Sequence, residues 1–413
     1  MKKIFFGLGC FLIVNFSFAQ QHESKTPSES ENQTKSTTSP FKFSGYIQAQ
    51  FQYGEEEASL KVGEANTDIN QPFNRFGVRR GRLKLEYTEN LISGVFQLDM
   101  TEKGVGIKDA YLAVKDPWVG TNSLRVGIFN RPFGHEISYS SSRRESPERS
   151  RMITTLFPDE RDIGMMLTLQ APGESFLSLL KLELALIAGN GLKPEIDNRK
   201  DFIGHLTIAD DVSSSMHLSG GISYYNGGVY QGTENVYSMT NVGFVLDDDV
   251  NNLGAYAKRE YVGADVQLKI ANAIGQTQIR AEYVAGKQPG IRTSSVSPNY
   301  SEAPAFDTYL RNFNGGYFTL VQALENTGLS FVAKYDYYDP NTKVSGDEIG
   351  LNGTDKGDIA YQTFGAGLNF NIYEGLMLTA YYDWTMNEKT PNLAGFESDK
   401  KDNIFTLRVQ YKF

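Results

Sequence analysis

The chain has 413 residues, a formal charge of −9 and a single cysteine, Cys10. The acidic balance argues against a nucleic-acid partner, and one cysteine leaves neither an internal disulfide nor a thiolate metal cluster. The four histidines, His22, His135, His205 and His217, stand beside no recognisable nucleophile and in no metal-ligand spacing, so no cofactor or metal is expected and the chain does not read as an enzyme.

Residues 1–19 carry Lys2 and Lys3, then an apolar run, then small residues at Ser17 and Ala19. That is the layout of a cleavable export signal. The competing reading is a membrane anchor, but Ile4–Phe16 is short for a span that needs about 20 apolar residues. Losing Lys2 and Lys3 takes the formal charge from −9 to −11. Residues 20–40, "QQHESKTPSESENQTKSTTSP", contain no large apolar side chain and are expected to be disordered.

From residue 41 onward no segment is apolar for long enough to form a membrane helix; strict alternation recurs instead, the primary signal of a strand. In "FKFSGYIQAQFQY" one face carries Phe41, Phe43, Ile47, Ala49, Phe51 and Tyr53, the other Lys42, Ser44, Gln48, Gln50 and Gln52. The same pattern predicts strands over 41–53, 73–88, 91–100, 107–115, 123–131, 162–171, 178–190 and 201–209. It continues over 216–226, 258–271, 276–286, 314–323, 328–338, 360–372, 376–386 and 402–413.

Those are sixteen segments, an even number, joined in alternation by short and long connections. The short ones lie at 89–90, 116–122, 171–177, 210–215, 272–275, 324–327 and 373–375; the long polar ones lie near 54–72, 132–161, 227–257, 287–313, 339–359 and 387–401. An even count, ~10-residue alternating segments and loops long on one rim only describe an all-β, antiparallel transmembrane barrel of the bacterial outer membrane, with short periplasmic turns and long extracellular loops. A soluble β-sandwich or propeller also alternates, but it predicts no such asymmetry. Because lipid offers backbone groups no hydrogen bonds, the first and last strands must pair and close the sheet.

With the apolar parity in lipid, the polar parity lines the lumen. The second strand, "RFGVRRGRLKLEY", then sets Arg80, Arg82 and Lys84 in a row, with Arg79 beside them; Arg125, Arg131 and Arg280 face inward from other strands. Rows of Arg and Lys select anions and phosphate, and the guanidinium fork binds two oxygens at once. The alternative is that these charges pair across the lumen with Glu86 and Asp99 and solvate the wall. The third long loop holds Arg143, Arg144, Arg149, Arg151 and Arg161 with as many acids, plus Met152, Ile153, Leu156 and Phe157. Its apolar residues predict packing against protein, as a loop folded into the pore would show; an extracellular cap is the other reading.

The order of several segments resembles the phosphate-selective porin O and P family: "VRRGRLKLEY" (78–87), "IKDAYL" (107–112), "LRVGIFNRPFG" (124–134), "LFPDERDIGMML" (156–167), "AGNG" (188–191), "RAEYVAG" (280–286) and "AKYDYYD" (333–339). The resemblance implies a sixteen-stranded, usually trimeric porin whose third long loop folds into the pore and whose inward bases guide small anions such as phosphate. Arg79 and Arg80 resemble the family's paired arginines, and Arg149 and Arg161 its constricting-loop motif; His205 and Lys334 stand where the motif suggests arginine. The final segment, "NIFTLRVQYKF", puts Tyr411 and Phe413 at the chain end, where they resemble the signal read by outer-membrane assembly machinery. Expected partners are therefore outer-membrane lipid, small anions, that machinery and two further copies of the chain. A barrel serving binding or adhesion through its loops is the alternative function.

Overall fold

Alternating strands leave every backbone donor and acceptor pointing sideways, so the sheet is complete only when each edge finds a partner. The computed structural model describes residues 39–173 and 175–413; the expected signal and nearly all of the polar leader lie outside the described residues. β1 (Phe41–Gly54), β2 (Phe73–Glu89), β3 (Ile92–Thr101), β4 (Gly104–Lys115), β5 (Ser123–Asn130), β6 (Arg161–Gln170), β7 (Leu180–Ile187), β8 (Asp201–Ser213) and β9 (Met216–Tyr230) pair consecutively. After an excursion, β12 (Tyr256–Asn272), β13 (Gly275–Gly290), β14 (Thr308–Leu324), β15 (Leu329–Asp339), β16 (Tyr361–Tyr373), β17 (Leu376–Asn387) and β18 (Ile404–Lys412) continue the sheet.

β1 pairs with β2 on one side and with β18 on the other, in register from Tyr46↔Lys412 to Gly54↔Ile404. The closed antiparallel barrel therefore has the sixteen strands expected, with β1 and β18 as its seam. Beyond β18 the ladder continues to the last residue: Phe413 donates its N–H to the Gly45 carbonyl at 3.0 Å, and Gly45 returns one to Phe413 at 3.1 Å. Inside the seam, Gln48 bonds Gln410 (2.7 Å) and Gln52 bonds Thr406 (3.0 Å).

The usual inside and outside are exchanged. Phe43, Ile47, Leu112, Val126, Ile222 and Phe331 are exposed on the outer wall, whereas Gln48, Gln50, Arg80, Thr406 and Arg408 are buried within. This suits a solvent that is lipid outside and water inside. Aromatics mark the belt's edges, including Tyr53, Tyr335 and Trp384 towards the long loops and Trp118, almost fully exposed, in a short turn. The short turns use local chemistry: Gly375 has φ +88°, and a Cβ there would lie 2.3 Å from the Lys412 carbonyl, so only glycine fits without strain.

The alternation did not reveal β10 (Val236–Thr240) and β11 (Gly243–Asp247), an extra hairpin within the long connection from β9 to β12. Five residues per strand are too few to cross a membrane. β10 instead pairs in parallel with the start of β14, Val236↔Thr308 to Ser238↔Leu310, where β14 extends past the residues that pair with β15. Tyr237 stacks on Tyr309 with ring centroids 4.4 Å apart.

Candidate functional site

The third long loop folds inward, as its apolar residues predict. Its one helix, α1 (Arg151–Leu156), and the flanking turns bury Phe133, Ile137, Met152, Ile153, Leu156 and Phe157 completely. They pack against inward-facing aromatics of the wall, Tyr225, Tyr261, Phe313, Tyr317 and Tyr338, so this side of the lumen is filled by a hydrophobic core. Six such side chains at ~1.5–3 kcal/mol each contribute about 9–18 kcal/mol as an upper estimate. Close approach needs a missing side chain: Gly134 has φ +58°, and a Cβ there would sit on the Glu282 carboxylate. That carboxylate accepts the backbone N–H groups of His135 (3.1 Å) and Glu136 (3.0 Å).

Charge fixes the rest of the loop across the barrel. Glu148 accepts from Arg79 Nε (2.8 Å), Arg80 Nη2 (2.9 Å) and Arg408 Nη2 (3.1 Å). Burial alone would raise its carboxyl pKa, but Arg79, Arg80 and Arg408 outweigh that and hold it well below the usual range. Glu145 pairs with Arg280, and Glu136 with Lys334 at 2.9 Å, so Lys334 also anchors the loop. Arg149 stays within the loop, donating to the carbonyls of Glu136, Ile137 and Tyr139 at 2.9–3.3 Å and pairing with Glu160.

Strict alternation would place Arg79 outside, in lipid. A β-bulge brings it in: Gln48 lies opposite Arg80 and Ala49 opposite Val78, leaving Arg79 as the extra residue. Adjacent arginines thereby reach one carboxylate. β4 repeats the device, with Gln97 opposite Asp109 and Leu98 opposite Ile107, so that Lys108 is extra. Its electrostatic neighbours are Glu160, Arg161 and Arg82, which places it in the lumen too. Neither Lys108 nor Glu148 was evident as a site residue; consecutive charges inside an alternating run, "RR" and "KD", were the available signal.

A polar cavity of about 350 Å³ lies between the loop and the wall formed by β1–β5 and β18. Its charged lining consists of Arg82, Lys84, Arg143, Arg149, Arg161, Lys412 and one acid, Asp109. Arg82 lies 3.5 Å from Asp99, Lys84 pairs with Glu86, and Arg161 bonds Asp109 at 3.1 Å. Of the basic row, Arg82 and Lys84 line the cavity and pair with Asp99 and Glu86, whereas Arg80 lies outside its lining and is held by Glu148. Arg143 remains exposed, facing the Tyr139 ring at 5.7 Å, and that ring also receives Arg280 at 4.5 Å.

Other expected site residues are placed differently. Arg131 is buried against Asp162 at 2.8 Å and braces the root of the loop. Arg125 lies 4.4 Å from the centre of the Tyr111 ring. Arg144 is buried, gives one hydrogen bond to the Pro147 carbonyl at 3.3 Å, and leaves Nε and Nη1 without a partner among the described residues. Arg151 lies 3.9 Å over the Tyr361 ring. Near it stands a base that alternation could not place, Lys61 of the β1–β2 loop, whose backbone N–H bonds Gln52 at 2.7 Å. The Lys61 side chain is open to lumen water yet enclosed by the barrel; burial lowers its pKa, Glu148 opposes that shift, and Arg79 and Arg151 reinforce it.

The profile of the phosphate-selective porin O and P family matches residues 62–413. Among solved structures, the outer membrane channel DcaP of Acinetobacter baumannii aligns at 12% identity and TM-score 0.56, covering 90% of this chain and 97% of that one. OmpT of Vibrio cholerae, in a trimer form, aligns at 11% identity and TM-score 0.53, covering 90% and 99%. OmpF of Salmonella typhi, in complex with daunomycin, gives 11% identity and TM-score 0.52, covering 90% and 97%. At these identities the likeness is one of fold. No curated protein sequence matches the chain significantly.

Proposed function

Because this chain belongs to the phosphate-selective porin O and P family, an outer-membrane porin family, we propose that its barrel passes small anions, phosphate among them, in preference to cations. The observation that carries this reading is the cavity beside the loop, with six basic side chains and one acidic one in its lining. Its bases exceed the acids even after Asp99, Glu86 and Glu160 are counted as partners. An anion passing there gains donors already held in position by those partners, so little is lost in ordering them. Lys61 and Arg151 extend the basic lining beyond the loop.

In this reading the loop sets the width of the path and fills the remaining lumen with its apolar core. Arg82, Lys84 and Arg143 attract the anion, Arg79 and Arg80 add positive charge to the path while anchoring the loop through Glu148, and Arg131, Arg149 and Arg161 hold the loop that shapes the path. Family and barrel point to a channel rather than to an enzyme. The reading includes export through a cleaved signal at 1–19, recognition of Tyr411 and Phe413 during assembly, and a homotrimer. The test is a planar bilayer with a KCl gradient: purified protein gives discrete conductance steps and a reversal potential of anionic sign, and added phosphate reduces chloride current. A cation-signed reversal potential overturns the anion preference, and a silent membrane overturns the channel.

A further inference from the structure

We propose that the outer wall of β12–β15 is a binding notch for a phosphorylated glycolipid of the outer leaflet. The barrel's lipid face is not uniform. Ala264, Ala281 and Gly316 form a floor of small residues on three neighbouring strands, and Tyr283, Phe318 and Tyr335 rise around it, together enclosing about 450 Å³. The rings are exposed, and register aligns the parts: Ala264 opposite Tyr283, Ala281 opposite Phe318, and Phe318 opposite Tyr335. An apolar recess on a membrane-facing wall is continuous with the lipid belt, so an acyl chain is the occupant its surroundings supply.

The polar end lies above it. Lys287 is four residues nearer the long loops than Tyr283 on the same face of β13, about 13 Å at the usual rise of a strand. Tyr335, on the rim of the recess, marks the long-loop edge of the lipid belt, so an acyl chain whose upper part fills the recess brings its headgroup to the level between Tyr335 and Lys287. Lys287 is exposed and stands opposite Glu260. That carboxylate is occupied by Lys258 Nζ at 2.7 Å and the Tyr224 hydroxyl at 2.9 Å, which leaves the Lys287 ammonium for a phosphate. On the outer-membrane reading proposed above, the long-loop end of the wall faces the leaflet in which phosphorylated glycolipid replaces phospholipid, and Lys287, the one lysine here that Glu260 does not hold, matches its charge.

Native mass spectrometry of the folded barrel, released from micelles containing equimolar bisphosphorylated lipid A and phosphatidylglycerol, tests this. The wild-type barrel retains lipid A in preference to phosphatidylglycerol. Lys287→Gln lowers lipid A retention about fivefold, from ~1 kcal/mol for one basic residue at an anionic surface. Ala281→Phe, which fills the recess, lowers retention further, and Ala264→Leu does the same if the first variant fails to assemble. Heat-shifted gel mobility and conductance stay at wild-type values in each. Equal retention of the two lipids, retention unchanged by Lys287→Gln or by filling the recess, or a second copy of the chain held at this wall overturns the proposal.

Discussion

Replacing Glu148 with glutamine keeps its shape and removes the charge that three guanidinium groups share. Arg79, Arg80 and Arg408 contact it at 2.8–3.1 Å, and Arg80 and Arg408 are buried. Removing one partner from a buried ion pair typically costs about 3–5 kcal/mol, because the remaining charges stay desolvated. In E148Q they also repel one another. The loop's anchorage to β2 and β18 should weaken by that amount, while the apolar core around Phe133 and Phe157 keeps it inside the barrel.

The same change adds one positive charge to the path. For an ion passing ~7 Å away in water the interaction is about 0.6 kcal/mol. That is a factor of about 2.7 for each sign of ion, or about sevenfold in the anion-to-cation ratio. Screening at 0.1 M salt, with a Debye length of ~10 Å, roughly halves the energy and brings the ratio to about threefold. Reversal potentials in KCl gradients at 0.01 M, where the Debye length is ~30 Å, and at 0.1 M should therefore show E148Q about fivefold and about threefold more anion-preferring than the wild type, with noisier open-channel current from the loosened loop. An unchanged or lower ratio would refute a solute path beside Glu148.

The opposite perturbation, Arg80→Gln with Arg82→Gln, should move permeability towards cations while Glu148 keeps Arg79 and Arg408; if assembly is lost and the reversal potential of the inserted fraction is unchanged, both residues are structural. His135 should make the loop acid-sensitive. Burial, and then the Arg280 charge, lower its pKa to about 4, whereas the unfolded imidazole titrates near 6.5. Its contribution is therefore complete above about pH 6.5 and lost as pH falls towards 4. Protease resistance of the loop between pH 7 and pH 4.5 should fall less in His135→Asn than in the wild type. Deleting Phe413 removes its two hydrogen bonds with Gly45 and should reduce the inserted fraction in a folding assay more than it changes the conductance of inserted protein.

The sequence by itself determined the barrel: period-two alternation, an even strand count and loops long on one rim leave little choice once lipid must be met by closed backbone pairing. It also marked the third loop as packed, through Met152, Ile153, Leu156 and Phe157. What only the tertiary structure decided is which charges face a solute and which hold the wall. Alternation assigns a side to each residue, and two bulges override it, so Arg79 and Lys108 change sides without any change in local composition. Pairing joins residues distant in the chain: Glu148 meets Arg408 across 260 positions, and nothing near either announces the other. Lys61 sits in a loop with no period to read. A repeated local pattern encodes the sheet, whereas the selectivity of the lumen depends on long-range charge pairing, which closure of the barrel alone brings into contact.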